Sequence, residues 1–111
     1  MSKKRKDTAE NEALRWVADA PPEVIRFIGE MPTRESIAYI KKMYKLGATE
    51  IFVIDIDANG KYESASRLSA SLPSDRNKRA AIFDAETDRV EEMGFEMESD
   101  TGQETIFLWF D

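Results

Sequence analysis

Asp55-Ile56-Asp57-Ala58-Asn59-Gly60-Lys61-Tyr62-Glu63 is the stretch whose residue types and spacing are best suited to chemistry. A hard cation needs several oxygens converging on one point, and alternate residues of a tight loop supply them. Asp55, Asp57 and Asn59 stand at the first, third and fifth positions of a calcium-loop pattern, with Gly60 for the turn. Lys61 would offer its backbone carbonyl and Glu63 the ninth position. The twelfth position is Ser66, where a bidentate Glu normally completes the shell, and an apolar run precedes the loop in place of a helix. Any calcium bound here is therefore expected to be weak, roughly millimolar. The competing expectation is a hairpin whose polar end is rich in turn formers, because Asn-Gly is a strong two-residue hairpin signal.

The same carboxylates, Asp55, Asp57 and Glu63, form the one acid/base set worth weighing, since a like-charged neighbour raises one carboxyl pKa. The chain contains no histidine and no cysteine. That removes imidazole bases, thiolate nucleophiles, disulfides and most zinc sites. No glycine-rich phosphate loop is present, and no further catalytic element accompanies the carboxylates. The expectation is a protein that is not an enzyme and has no cofactor beyond weak calcium.

A second candidate is the aromatic end of the chain. Thr105 to Phe110 alternates Ile106, Leu108 and Phe110 with Phe107 and Trp109. If all helices lie on one side of a sheet, Phe107 and Trp109 face water and mark a protein-binding surface or a homodimer contact. The competing expectation is that an N-terminal helix carrying Leu14, Trp16 and Val17 covers them.

The elements that must position these residues are punctuated twice in the same way. Pro32-Thr33 opens a helical pattern ending at Gly47, and Pro73-Ser74 opens another ending at Gly94, each between apolar runs. Ile37, Ile40, Met43 and Tyr44 give the first helix its apolar stripe; Ala80, Phe83, Thr87 and Val90 give the second. Thr33 and Ser74 are the expected N-caps. Ala9 to Ala20 fits a short amphipathic helix ending before Pro21-Pro22. Strands are expected at Val24 to Ile28, Glu50 to Ile56 and Tyr62 to Leu72, with a last hairpin of Phe95 to Ser99 and Thr105 to Phe110. The run from Ile51 to Ile56, apolar on both faces, reads as a central strand. In the third strand Ser66, Leu68, Ala70 and Leu72 are expected on one face, Arg67, Ser69 and Ser71 on the other.

Two strand–helix–strand units joined by a hairpin predict an α+β fold: a ferredoxin-like split βαβ sandwich with an N-terminal helix and an extra C-terminal antiparallel strand. Without the strand at Val24 to Ile28, a four-stranded meander remains.

The 111 residues suit a single α+β domain over 9–111 behind a flexible basic arm over 1–8. The net charge is −6, yet Lys3, Lys4, Arg5 and Lys6 hold four of the 16 positive charges. The remaining 12 basic and 22 acidic side chains make a body at −10. An acidic body repels phosphates, so nucleic acid is not an expected partner, despite Tyr39 and Tyr44 on one helix. No membrane-spanning run is present, and a cytoplasmic location is expected. Together these readings describe a small acidic protein that binds another protein, or itself. The alternative is a cation- or small-ligand-binding domain using the Asp55 to Glu63 loop.

Overall fold

The computed structural model describes residues 11–110, so the basic arm expected over 1–8 lies outside the described residues. Seven elements follow in the order α1 (Ala13–Ala18), β1 (Ile25–Ile28), α2 (Thr33–Leu46), β2 (Glu50–Asn59), β3 (Tyr62–Ser71), α3 (Arg76–Glu92) and β4 (Thr105–Trp109). The described residues form a small α+β domain with a mixed sheet and three helices.

The strand at β1 is present, so the meander does not arise. The ferredoxin-like expectation is not supported, because the sheet is built on β3 rather than β2. On one edge of β3 lies antiparallel β2, from Glu50 opposite Ser71 to Asn59 opposite Tyr62. The other edge is shared: β1 runs parallel along Tyr62 to Ala65, and β4 runs antiparallel along Arg67 to Ser71. The two meet where Gly29 N–H donates to the Ala65 carbonyl (2.8 Å) and Phe110 N–H to the Ser66 carbonyl (2.9 Å). Each helical connection thus joins strands of opposite direction, β1 to β2 and β3 to β4. The right-handed rule for parallel crossovers has no purchase on either.

The outer edge of β1 explains why β4 does not flank it. The Ile28 N–H donates to Ser36 Oγ (2.9 Å), and the Arg26 carbonyl accepts from Thr33 Oγ1 (2.9 Å). The Ile28 carbonyl accepts from Met31 N–H (3.0 Å). The first turn of α2 therefore satisfies the groups another strand would need. Thr33 is consequently not the expected N-cap: its hydroxyl is spent on Arg26, and Pro32 takes the cap position without a side-chain bond. At α3 the cap is Asp75 rather than Ser74, its carboxylate accepting from Lys78 N–H at 2.9 Å.

One core holds Trp16 and Val17 of α1, Ile40 and Met43 of α2, and Ile82 and Phe83 of α3 against Ile28, Ile51, Val53, Leu68, Ala70, Ile106 and Leu108 of the sheet. All three helices therefore pack on one side. The buried stripe of α3 is Ile82, Phe83, Glu86 and Val90. Glu86, 2% exposed, is held by Arg89, whose Nε and Nη2 lie 2.8 and 2.5 Å from Oε1. Arg89 also donates to the Trp109 carbonyl (2.8 Å) and lies 4.0 Å over the Phe110 ring, tying the end of β4 to α3.

Two strand expectations need correction. Ser66 is half-exposed while Ala65 and Leu68 are both fully buried, so the alternation of β3 slips by one residue. The slip faces Asp55, the one described non-glycine residue with positive φ (57°), a conformation Asp tolerates better than most. Phe95 to Ser99 forms no strand. Side chains satisfy that segment instead: Gln103 Nε2 donates to Glu98 and the Ser99 carbonyl, and Asp100 accepts from Gly102 N–H and from Arg79.

Tyr44 joins three elements. Its hydroxyl donates to Glu12, the N-cap of α1, and accepts from Ile51 N–H of β2 at 3.1 Å. Burial first, then the Glu12 carboxylate, raises its pKa above the usual phenol value of 10.0. The folded protein then keeps a proton that the unfolded chain releases, so this stability is complete below about pH 10 and is lost above it. The melting temperature is expected to fall as pH passes about 10, and Tyr44→Phe to make that fall shallower; parallel alkaline limbs would refute the linkage. Removing the Ile28 partner by Ser36→Ala should cost about 1–3 kcal/mol in urea unfolding, because it leaves a buried N–H unpaired.

Candidate functional site

The residues of the calcium-loop pattern lie along a β-ladder rather than around a point. Gly60-Lys61 is the two-residue turn between Asn59 and Tyr62, and Gly60 at φ 65° occupies the position where such a hairpin demands positive φ. Asp57 stands opposite Ser64 and Ala58 opposite Glu63. Asp55 Oδ2 lies 3.0 Å from Arg67 Nε, and Glu63 Oε1 lies 2.8 Å from Arg26 Nε. Two of the three carboxylates are thus committed to different arginines on different strands. Among the described residues, no group of three or more His, Cys, Asp or Glu side chains is placed to hold a metal ion. Arg26, besides pairing Glu63, donates to the Trp16 carbonyl (3.1 Å) and lies 5.0 Å over the Trp16 ring, so this part of the ladder helps seat α1.

Phe107 and Trp109 lie on the sheet face away from the helices, 45% and 43% exposed, while Ile106 and Leu108, which alternate with them, are fully buried. The Leu14, Trp16, Val17 helix does not reach them: α1 packs with α2, and Trp16 and Val17 belong to the core on the other side. Register builds the rest of the face. Phe52, Ser69 and Phe107 form one row across β2, β3 and β4; Ile54, Arg67 and Trp109 form the next. Phe95, from the segment before β4, adds a ring 6.4 Å from that of Trp109 and is itself 48% exposed.

Arg67 organises this surface. Its guanidinium carbon lies 4.8 Å from the Trp109 ring centre and 5.3 Å from that of Phe107, within cation–π range of both. Its Nε contact with Asp55 is close but off the line of a hydrogen bond, so it acts as an ion pair. Partial burial under two rings holds the side chain in place and lowers the entropy lost when something docks on it. The next two β3 residues on this face beyond Arg67 are small, Ser69 and Ser71, leaving a shallow furrow there between the side chains of β2 and β4.

Chemically this is a surface for apolar and stacking contact. The groups with displaced pKa serve structural pairs elsewhere. Hydrogen bonds from Arg79, then from Gly102 N–H, hold the Asp100 carboxyl below the usual range. Burial, followed by the charge of Glu86, raises Tyr39. Arg67, with Ser69 and Ser71, is readable from the sequence as part of a solvated strand face. Its position under Trp109 and Phe107 is not, because that depends on which strand β4 joins. Phe95 carried no signal, since the strand expected around it does not form.

No family model matches the chain, and no curated protein or solved structure is significantly similar to it.

Thermal melts with and without millimolar calcium are expected to superimpose. A rise of several degrees at saturating calcium would show that the ladder rearranges to converge its carboxylates.

Proposed function

We propose that this protein is a non-catalytic binding module that acts through protein–protein contact on the open face of its sheet. The observation that carries this reading is the stacked group of Arg67, Phe107 and Trp109, with Phe95 beside it, exposed on a face that no helix among the described residues covers. Aromatic and arginine side chains dominate the energetics of protein interfaces, and a contiguous exposed apolar patch on a small domain usually has a partner. The rings are held by the ladder and the cation stacks against them, so the surface is formed before anything binds. Glu50, in the row beyond Phe52, and Glu98, whose carboxylate accepts from Phe107 N–H, stand at the edge of the patch, where such interfaces keep a polar rim.

No helix among the described residues is long and apolar enough to cross a membrane. The acidic body makes protein a better partner than nucleic acid, whose phosphates it repels.

The test uses the full chain as bait in an extract of its own cells, comparing wild type with Phe107→Ser/Trp109→Ser. Both side chains are largely exposed, so the double variant should keep its far-UV spectrum and melt cooperatively. The reading expects a partner that wild type retains and the variant binds about 30-fold more weakly or worse, the factor that corresponds to about 2 kcal/mol. Equal retention by both baits would overturn it.

A further inference from the structure

Resting on that reading of the sheet face, we infer that one occupant of the face is a second copy of this chain, bound about a two-fold axis that runs along the strands between Ser69 of β3 and Phe107 of β4. Three observations point there. The first is charge. The chain carries −6, so two copies repel one another over most approaches. In the middle of this face the charged groups are Arg67 and Asp55, 3.0 Å apart and mutually cancelling. Glu50 lies on the same face one row beyond Phe52, opposite Ser71, at the rim of a contact centred on Arg67. A basic partner would instead be drawn to the groove of about 400 Å³ beside α3, where Asp84, Glu91, Glu98 and Asp100 gather.

The second is shape. Phe52 and Ile54 on β2, and Phe107 and Trp109 on β4, form two ridges, and Ser69 on β3 leaves the furrow between them. A two-fold axis between β3 and β4 makes this face self-complementary, since the β4 ridge of each copy then enters the β3 furrow of the other.

The third is size. Aromatic side chains present roughly 150–250 Å² each, and the three most exposed rings here are a little under half accessible. With the half-buried neighbours, the patch offers roughly 500 Å² per copy, about 1,000 Å² in all, at the low end of specific interfaces. The pairing is therefore weak and concentration-dependent.

Sedimentation velocity of the full chain from about 10 µM to about 1 mM, the range suited to so small an interface, reads the mass directly. Trp109 supplies a second readout, because Trp16 is 4% exposed and Trp109 is 43% exposed. The inference expects the average mass to rise toward twice that of one chain. Over the same range acrylamide quenching should fall and tryptophan emission should shift to the blue. Phe107→Lys should melt as wild type does yet stay monomeric with unchanged quenching. Ser69→Gln, which fills the furrow, repeats the test if Phe107→Lys does not fold. A wild-type chain that keeps the mass of one copy to about 1 mM would overturn the inference, as would variants that pair as tightly as wild type. If such a monomer still captures a partner from extract in a Phe107- and Trp109-dependent way, self-pairing falls and the docking face stands. If capture is also independent of those residues, both fall.

Discussion

The hydrogen bond from the Ile28 N–H to Ser36 Oγ, with its neighbour from Thr33 to the Arg26 carbonyl, constrains the rest of the architecture. A strand edge left open in a small domain invites another strand. Here the edge of β1 is closed from within by the first turn of the helix that follows it. Once that edge is closed, β4 cannot lie outside β1; the second half of β3 and the outer edge of β2, which Glu12 and Tyr44 touch at Phe52 and Ile51, remain, and β4 takes the first. β1 covers four residues of β3, which leaves Arg67 to Ser71 for β4. The sheet therefore stays three strands wide at any level, and β3 is buried between neighbours on both edges.

That placement of β4 creates the surface. Ile106 and Leu108 complete the core beneath α3, and alternation turns Phe107 and Trp109 outward beside Arg67. Had β4 paired with β1, the two rings would have lain away from Arg67, with no cation to stack on them. The Glu86–Arg89 pair serves the same end from the opposite side. Removing the Glu86 carboxylate would leave a cation with fewer partners beneath Phe110 and the Trp109 carbonyl. A buried ionic clamp on α3 and a stacked arginine on the open face thus hold one five-residue strand from its two sides.

The Asp55 to Glu63 stretch shows how one composition serves two architectures. Alternating carboxylates around Asn-Gly suit a cation loop when the backbone coils around a point, and suit a hairpin when it runs straight. β-branched Ile54 and Ile56 and a long pairing partner in β3 favour the straight form. In that form the carboxylates separate, and Arg67 and Arg26, distant in sequence, neutralise two of them. No local pattern announces those pairings.

Residue order alone was enough for some of the local decisions, though not for the segment Phe95 to Ser99, which forms no strand. Gly47 and Gly60 end a helix and turn a hairpin because their φ values of 129° and 65° are costly for other residues. The spacing of Ile40 and Met43, and of Ile106 and Leu108, marks a buried stripe and a buried strand face whatever the topology. Caps were legible only to within a residue, since Thr33 and Ser74 lost the position to neighbours when tertiary partners claimed the Thr33 hydroxyl and Asp75 offered a carboxylate. What the chain could not announce by itself is adjacency: that β3 and not β2 is central, that β1 and β4 share one edge, and that Arg67 lies under Trp109. Periodicity reports which way each side chain points relative to its own strand. Which strand stands beside which depends on edges closed by residues far apart in sequence, and only the folded chain brings Ser36 to Ile28.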